Sequence, residues 1–308
     1  MRVLITPRSF GKNDDGPFKL LESHGIEIIR NDTGGIMTEE TLKTAIAGAE
    51  GIIIGVDPLT ADVMAEAPGL RAVAKYGVGT DNIDLDYCSE KGIKVSKTVG
   101  ANSEAVADYT FALMLALARK ITVIDRQCRK KDWAKITTSD VAGKKLGLIG
   151  LGAIGKGVLN RAKGFGMEVF AYDLYWDEGY ARDSGAIYAE IEEIIKSCDF
   201  ISLHVPLTDE TKNMIGKREL GLMKPGAFII NTARGGLIDE DALLGALEAG
   251  QIGGAGLDVF SKEPPDDDRW YELDNVVLGS HCSASTTGAS DMMGLMSAEN
   301  LLRDLGLE

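Results

Sequence analysis

The sequence predicts an α/β protein made of two doubly wound parallel-sheet domains with a cleft between them. Short apolar runs typical of buried strands alternate with helical segments along nearly the whole chain. At 308 residues the chain is also long for one compact core. A glycine-rich turn with a strand before it and a helix after it lies near the middle of the sequence. We expect residues 1–98 with 285–308 to form one domain and residues 99–284 to form the other.

The glycine-rich turn has the residue order of a dinucleotide site. An apolar run over 146–149 ends in the sequence Gly150-Leu-Gly-Ala-Ile-Gly155, and Asp173 closes the next apolar run. In this order, Gly150 allows a tight turn, Gly152 leaves room for a pyrophosphate, and Gly155 lets the helix pack close to the sheet. The helix N-terminus adds free N–H groups and partial positive charge. The Asp173 carboxylate can accept hydrogen bonds from ribose hydroxyls and would repel a 2′-phosphate, so NAD is predicted rather than NADP.

Composition excludes several other kinds of partner. The net charge of −14 and pI of about 4.8 argue against nucleic acid and against an anionic membrane surface. The start of the chain lacks a secretory signal, and the longest apolar stretch, 105–118, is interrupted by Asp108 and too short to span a bilayer. Four scattered cysteines predict free thiols and no metal site. These features predict a cytoplasmic protein.

Along the first domain, strand patterns occur five times and a glycine-rich loop follows one of them. The predicted strands cover residues 3–5, 26–30, 51–54, 72–74 and 93–95. The loop Lys75-Tyr-Gly-Val-Gly79-Thr-Asp-Asn82 comes directly after the fourth strand. A last helix, residues 283–308, is expected to cover a face of this domain.

The second domain is predicted to begin with a long helix rich in Ala and Leu. This helix covers about 102–119 and is apolar on nearly every face, so it is expected to be buried in a core or against a partner subunit. A basic connector over 126–135 contains Trp133. Beyond Asp173, further strands are predicted at 200–205, 226–231, 255–259 and 276–278, with helices at 190–196, 217–223 and 239–249.

Candidate chemistry lies at the predicted carboxyl ends of the strands, where open α/β sheets bind ligands. These positions are occupied by Asp173, Val205-Pro206, Thr232-Ala233-Arg234, Asp258 and His281. A guanidinium group such as that of Arg234 can hold a carboxylate with two parallel hydrogen bonds. The alternative is a surface arginine paired with an acid.

Three histidines compete for the role of proton carrier. His24 lies at a predicted helix end and His204 within a strand, whereas His281 lies in a loop after the last strand. Loop position favours His281 as the acid and base of the reaction. Glu263, in a proline-rich turn, is predicted to approach His281, where a carboxylate stabilises the protonated imidazole. The alternative is that the two are unrelated loop residues.

Several motifs of this sequence resemble the D-isomer-specific 2-hydroxyacid dehydrogenase family over essentially the whole chain. They are GLIGLGAIG followed by Asp173, SLHVPLTDET, FIINTARGGLIDEDAL, AGLDVFSKEPP and the loop around His281. The resemblance implies an NAD-binding domain inserted into a discontinuous substrate domain, the two being Rossmann-like or flavodoxin-like sheets. It also implies hydride transfer between NAD(H) and a small 2-hydroxy or 2-keto acid. The long helix 102–119 resembles the dimer contact of the family, which implies a homodimer.

The resemblance assigns individual roles. His281 is implied to carry the proton, Glu263 to be its partner, and Arg234 to bind the carboxylate and carbonyl of the substrate. The backbone N–H groups of Val78 and Gly79 are implied to hold the substrate carboxylate. Residues implied to contact NAD are Gly150, Gly152, Ala153, Ile154, Gly155, Asp173, Val205, Pro206, Thr211, Thr232, Ala233 and Asp258, the last facing the nicotinamide carboxamide.

One loop departs from the family pattern. The family commonly has a proline before the histidine and a glycine soon after it. Here Ser280 precedes His281, and Cys282 with Ser283 follow it. The rigidity of this loop and the shape of the substrate pocket are therefore open to question.

By motif, the sequence most resembles D-3-phosphoglycerate dehydrogenases of L-serine biosynthesis. Lys75 stands where those enzymes carry a basic phosphate ligand, and Lys135 is a candidate for a second one from a neighbouring subunit. Against this assignment, the loop Gly55-Val-Asp57-Pro58 lacks an arginine that several of those enzymes carry. The chain ends at residue 308 without a regulatory domain, so feedback by serine is not expected. Glyoxylate or hydroxypyruvate reductase is the alternative.

Two readings from other classes remain open. The first is a non-enzymatic interaction protein that senses NAD, similar to transcriptional corepressors that resemble these enzymes. The second is a Rossmann-type hydrolase that uses NAD transiently, which would need further catalytic residues that the sequence does not show.

Overall fold

The computed structural model describes residues 1–307, and the last residue of the predicted C-terminal helix, Glu308, lies outside the described residues. The strands are β1 (Arg2–Ile5), β2 (Glu27–Arg30), β3 (Gly51–Ile54), β4 (Ala72–Lys75), β5 (Lys94–Lys97), β6 (Lys145–Ile149), β7 (Glu168–Tyr172), β8 (Ile187–Tyr188), β9 (Phe200–Leu203), β10 (Phe228–Asn231), β11 (Gly254–Leu257) and β12 (Val276–Leu278). The helices are α1 (Gly16–Ser23), α2 (Glu39–Ile46), α3 (Ala61–Ala65), α4 (Leu85–Lys91), α5 (Ser103–Ala118), α6 (Ile121–Arg129), α7 (Ala153–Gly164), α8 (Glu178–Ser184), α9 (Ile191–Ser197), α10 (Lys217–Leu222), α11 (Glu240–Glu248), α12 (Arg269–Glu272) and α13 (Thr287–Leu305).

The chain divides into two compact units. The first consists of residues 1–102 and 285–308, and the second of residues 103–284. The sequence placed the first boundary at 98/99, four residues earlier. Each unit is an α/β layer built on a parallel sheet, as the alternation of strand and helix patterns predicts.

The first unit is built on a five-stranded sheet of order β2-β1-β3-β4-β5. All its strand pairs are parallel. The central strands β3 and β4 are buried at every residue, which explains their uninterrupted apolar runs. Apolar clusters cover both faces, and α13 contributes Leu301, Leu302 and Leu305 to one of them. The C-terminal helix therefore completes the first unit, as the sequence predicts.

The second unit is built on a seven-stranded sheet of order β12-β11-β10-β9-β6-β7-β8. The chain runs outward from β6 through β7 to β8, then returns to the other side of β6 with β9. This reversal creates a switch point between β6 and β9, the place where doubly wound sheets bind ligands. Helix α5 packs against α7, β10 and β11, and nine of its residues are buried. Its apolar surface is thus largely used by the core of its own unit.

The sequence patterns did not predict several short elements of the second unit. Helix α6 replaces the first part of the predicted basic connector, and α8, β8 and α12 were not predicted. Three of these have seven residues or fewer, which is too few to show a hydrophobic period, and α6 has just one buried residue, Val123, among charged ones.

Within residues 1–307, no helix has the length and apolar character needed to cross a membrane.

Strand register places the ends of six strands in one row. The aligned residues across the sheet are Leu278, Leu257, Asn231, Leu203, Ile149 and Tyr172, the last residues of β12, β11, β10, β9, β6 and β7. Because the strands are parallel and about 4.8 Å apart, the loops that follow them emerge side by side along one edge. The predicted site residues of this unit lie in those loops and in the first turn of α7.

Candidate active site

The glycine turn after β6 has the geometry that its spacing predicts. Gly150 has φ +101°, and its N–H donates to the carbonyl of Tyr172 at 2.8 Å. A Cβ on Gly150 would lie 2.6 Å from the carbonyl oxygen of His204, and one on Gly155 would overlap with the carbonyl oxygen of Gly150. Gly152, in contrast, has no atom within 4 Å of its Cβ position. Gly150 and Gly155 are therefore required by close packing, whereas Gly152 leaves open space at the N-terminus of α7, where Ala153 and Ile154 form the first turn.

Asp173 directly follows β7, and its carboxylate fixes this turn through hydrogen bonds. One carboxylate oxygen accepts the N–H of Leu151 at 2.7 Å, and the other accepts the N–H of Tyr175 at 2.8 Å. The carboxylate thus connects the glycine turn to the loop beyond β7. Tyr172, Asp173, Leu174, Trp176, Glu178 and Tyr188 line a surface cavity beside it.

The loop after β9 lies across the switch point from the glycine turn. Thr211 Oγ1 donates to the carbonyl of Pro206 at 2.7 Å and accepts the N–H of Thr208 at 2.8 Å, so its hydroxyl fixes the path of the loop beyond Val205. The His204 imidazole hydrogen-bonds through Nε2 to Ser202 Oγ at 2.9 Å. Burial lowers the pKa of His204 to about 4, so the ring is neutral at pH 7. This agrees with a structural role for His204.

Arg234 lies in a rigid turn after β10. The Asn231 side chain, 2% exposed, accepts the N–H of Ala233 at 3.0 Å and donates to the carbonyl of Arg234 at 2.7 Å. Arg234 Nη1 donates to the carbonyl of Ala233 at 2.6 Å. Thr232 is buried, and its hydroxyl pairs with that of Thr110 on α5 at 2.9 Å. Sequence reasoning missed Asn231, although an asparagine at the end of an apolar strand signals such a turn.

A backbone contact joins the Arg234 turn to the loop that carries Glu263. A Cβ on Gly235 would overlap with the carbonyl group of Phe260 and with the N–H of Ser261. Only glycine permits this approach without displacement of the backbone. Phe260 N–H in turn donates to Glu263 Oε1 at 3.1 Å. Arg234 and Glu263 therefore belong to loops in direct contact, although 29 residues separate them in the sequence.

His281 and Glu263 form a hydrogen-bonded pair, as the sequence predicts. His281 Nδ1 lies 2.8 Å from Glu263 Oε2, and the two side chains are 41% and 38% exposed. An ionised carboxylate only accepts hydrogen bonds, so the contact places the proton on Nδ1. The Nε2 atom is then the ring nitrogen left to exchange a proton with a bound substrate. The pair has the arrangement of a general acid and base oriented by a carboxylate.

Asp258 fixes the backbone of the His281 loop. Its carbonyl accepts the N–H of His281 at 2.8 Å, and its two carboxylate oxygens accept those of Cys282 at 3.0 Å and Ser283 at 2.8 Å. His281 itself has φ +54°. Asp258 is fully buried, and three successive N–H groups converge on it. Its contact with a nicotinamide carboxamide stays a prediction, whereas its hold on this loop is a feature that sequence reasoning missed.

In the first unit, the loop with Val78 and Gly79 is fixed by a buried threonine. Thr98 Oγ1 accepts the N–H of Gly77 at 2.9 Å and donates to its carbonyl at 3.2 Å. Lys75 is 5% exposed, and its ammonium group donates to the carbonyl of Gly55 and to Asn82 Oδ1. Lys75 therefore connects the loops after β3 and β4.

The cysteines and the possible metal ligands are the other reactive groups of residues 1–307. All four cysteines are free thiols, and burial raises the pKa of Cys88 and of Cys198 to about 11. The described residues contain no cluster of His, Cys, Asp or Glu able to hold a metal ion.

The chain is similar to known proteins across most of its length. A family model described as "D-isomer specific 2-hydroxyacid dehydrogenase, NAD binding domain" matches residues 111–283. A glyoxylate reductase of Korarchaeum cryptofilum is 44% identical over 253 residues, which are 80% of this chain and 76% of that relative. A D-3-phosphoglycerate dehydrogenase of Methanocaldococcus jannaschii is 41% identical over 292 residues, which are 93% of this chain but 55% of that relative.

Solved structures share the fold. A D-lactate dehydrogenase of Aquifex aeolicus, complexed with NAD and lactic acid, is 32% identical and has a TM-score of 0.84. The similarity covers 99% of this chain and 96% of that one.

Proposed function

Because this chain belongs to the D-isomer-specific 2-hydroxyacid dehydrogenase family, we propose that it reduces a small unphosphorylated 2-keto acid, glyoxylate or hydroxypyruvate. The protein is an NAD-dependent oxidoreductase that acts on the CH–OH group of a 2-hydroxy acid.

The described residues fit NAD. The open space at Gly152 lies at the N-terminus of the twelve-residue helix α7, where free N–H groups attract the pyrophosphate. Asp173 supplies a carboxylate for the adenine ribose at the neighbouring strand end. Beyond the switch point, the loops with Val205, Thr232 and Asp258 continue the row toward His281. The row of strand ends thus has the proposed contacts to the pyrophosphate and adenine ribose at β6 and β7, and the proposed proton carrier after β12.

The proposed mechanism assigns one task each to His281, Glu263 and Arg234. NAD(H), when bound, supplies or accepts the hydride at C2 of the acid. In reduction, protonated His281 donates its Nε2 proton to the carbonyl oxygen, and in oxidation it takes the hydroxyl proton back. Glu263 holds Nδ1–H and so orients the ring. The Arg234 guanidinium binds the acid and stabilises the negative charge that develops on its oxygen.

The environment of Lys75 supports an unphosphorylated substrate. Its ammonium group is buried and already donates to Gly55 and Asn82, so a phosphate would have to displace those partners. The Asp57 carboxylate, 3% exposed, lies in the same loop as Gly55 and adds negative charge that disfavours a phosphate dianion. The single observation that carries the substrate proposal is this internal use of Lys75. The similarity to glyoxylate reductases gives further support.

D-3-phosphoglycerate dehydrogenase of L-serine biosynthesis is the second candidate. It is favoured by the position of a lysine at residue 75 and by a phosphoglycerate dehydrogenase relative that aligns over 93% of this chain. In that function the ammonium group of Lys75 would leave its present partners when the substrate binds.

A panel of 2-keto acids with NADH and NADPH separates these candidates. We expect the highest kcat/KM with glyoxylate or hydroxypyruvate and NADH, and a much lower value with 3-phosphohydroxypyruvate. Changing Lys75 to Met should lower kcat/KM for phosphorylated and unphosphorylated acids by the same factor, because the loop loses its internal bonds. A loss restricted to the phosphorylated acid would instead assign Lys75 to phosphate binding. No turnover with any acid would favour an NAD-sensing interaction protein.

Two glycines of the turn allow cofactor binding to be separated from stability. Gly152→Ala adds a methyl group to open space, so we expect an unchanged Tm but a KM for NADH raised about tenfold or more, since the pyrophosphate loses contact with the backbone. Gly155→Ala adds a methyl group against the Gly150 carbonyl and should destabilise the fold by about 1–3 kcal/mol. Thermal unfolding and steady-state kinetics measure both. Equal effects of the two variants on Tm would contradict this division.

We also propose a homodimer through the 102–119 region in the cytoplasm. Ile121 and Trp133, which lie after α5 and are 55% and 80% exposed, offer apolar side chains to such a contact. The free thiols support a reducing compartment.

A further inference from the structure

The cysteine that departs from the family pattern has a specific partner. Cys282 directly follows His281, and its Sγ donates to the hydroxyl oxygen of Tyr109 at 3.4 Å. Tyr109 lies on α5, 173 residues earlier in the chain, and is partly buried. The contact joins the His281 loop to the long helix α5, which packs against β10 and β11.

The loop leaves little space around the Tyr109 hydroxyl. A Cβ on Gly279 would lie 2.7 Å from Tyr109 Oη and would overlap with Asp258 Oδ1. Burial, the bond to Cys282 and the nearby Asp258 carboxylate all raise the pKa of Tyr109, so the phenol is neutral throughout the pH range of enzymes. A neutral hydroxyl therefore lies against Gly279 and Cys282, close to the Asp258 carboxylate.

We propose that Tyr109 is a positioning residue that acts on His281 through Cys282. The His281 ring is 41% exposed, so packing does little to hold it, and its orientation depends on the loop backbone. Asp258 holds the three N–H groups of that loop, and the Tyr109–Cys282 contact fixes the side chain next to His281. The pair restores the rigidity that the departure at residue 282 placed in question. This inference rests on the proposed role of His281.

The test compares Tyr109→Phe, Cys282→Ala, Cys282→Ser and the double variant Tyr109→Phe/Cys282→Ala. Kinetics use the 2-keto acid that the unaltered protein reduces best. We expect Tyr109→Phe and Cys282→Ala each to lower kcat about three- to tenfold, with KM for NADH and Tm little changed. The double variant should lose no more than either single variant, since both remove one contact. Cys282→Ser, which keeps a donor, should recover most of the loss. Tyr87→Phe, in the first unit, is the matched control and should retain full kcat.

A second measurement does not depend on activity. Alkylation of Cys282 by iodoacetamide, followed by peptide mass spectrometry, should be faster in Tyr109→Phe than in the unaltered protein or in Tyr87→Phe. A kcat within twofold of normal in Tyr109→Phe, or losses that multiply in the double variant, would overturn the proposal. If no 2-keto acid is reduced by the unaltered protein, the proposed substrate fails, and the alkylation rates still decide whether Tyr109 restrains Cys282.

Discussion

Replacing His281 with alanine is expected to lower kcat by about two to four orders of magnitude, with the affinity for NADH almost unchanged. The substitution removes the group that donates and accepts the proton, while the glycine turn and Asp173 lie at the far end of the row of strand ends. Steady-state kinetics with the best 2-keto acid, together with fluorescence titration of NADH, measures both quantities.

His24→Ala is the matched control. That histidine is exposed, and its Nδ1 contacts the carbonyl of Leu20 at the end of α1, so its loss should leave kcat unchanged. Near-normal turnover in the His281 variant would reject the assignment of the proton carrier. A large rise in the dissociation constant for NADH would show instead that the substitution disturbs the cofactor site.

Arg234→Lys is expected to lower kcat/KM for the 2-keto acid by about two to three orders of magnitude. Lysine keeps the positive charge but lacks the planar fork that holds a carboxylate with two parallel bonds. The turn is held by Asn231 and by the close approach of Gly235 to Phe260, so the backbone cannot easily shift to compensate. Both KM for the acid and kcat should change, because the guanidinium contacts the acid and also the oxygen that gains charge.

Arg218→Lys provides the comparison for an arginine outside the site. Arg218 pairs with Glu192 and Glu219 on the surface, and its replacement should change neither constant by more than about twofold. An Arg234→Lys variant with an unchanged KM and kcat would remove Arg234 from the mechanism. Neither substitution is expected to alter the KM for NADH.

The glycine turn was predictable because its requirements are local. The strand, the three glycines, the helix and Asp173 lie within 30 residues, and each glycine is needed for a reason that spacing reveals. The structure adds the atoms that enforce two of them, the carbonyls of His204 and Gly150. The pairing of His281 with Glu263 was also predicted, since both lie in loops after neighbouring strands.

Other parts of the site could not be predicted because they depend on contacts between distant segments. Asp258 was expected to contact the cofactor, and nothing near it in the sequence shows that its carboxylate binds the N–H groups of residues 282 and 283. Thr98 lies in a loop and Tyr109 in the apolar helix α5, and neither position shows by itself which loop its hydroxyl contacts. Lys75 was expected at a phosphate because of its place beside the glycine loop, and its burial became visible only with the position of Asn82.

The sequence alone was enough to predict the two parallel α/β layers, the dinucleotide turn and the candidate residues His281, Glu263 and Arg234. The layers and the turn follow from apolar periodicity and glycine spacing over a few residues, and the candidate residues follow from their places after predicted strands. The tertiary structure decided how the strand ends align, why Gly235 must be glycine, and which buried groups hold the His281 and Gly77 loops. Those features depend on strand register and on the packing of segments that are far apart in the chain, where short-range patterns carry no information.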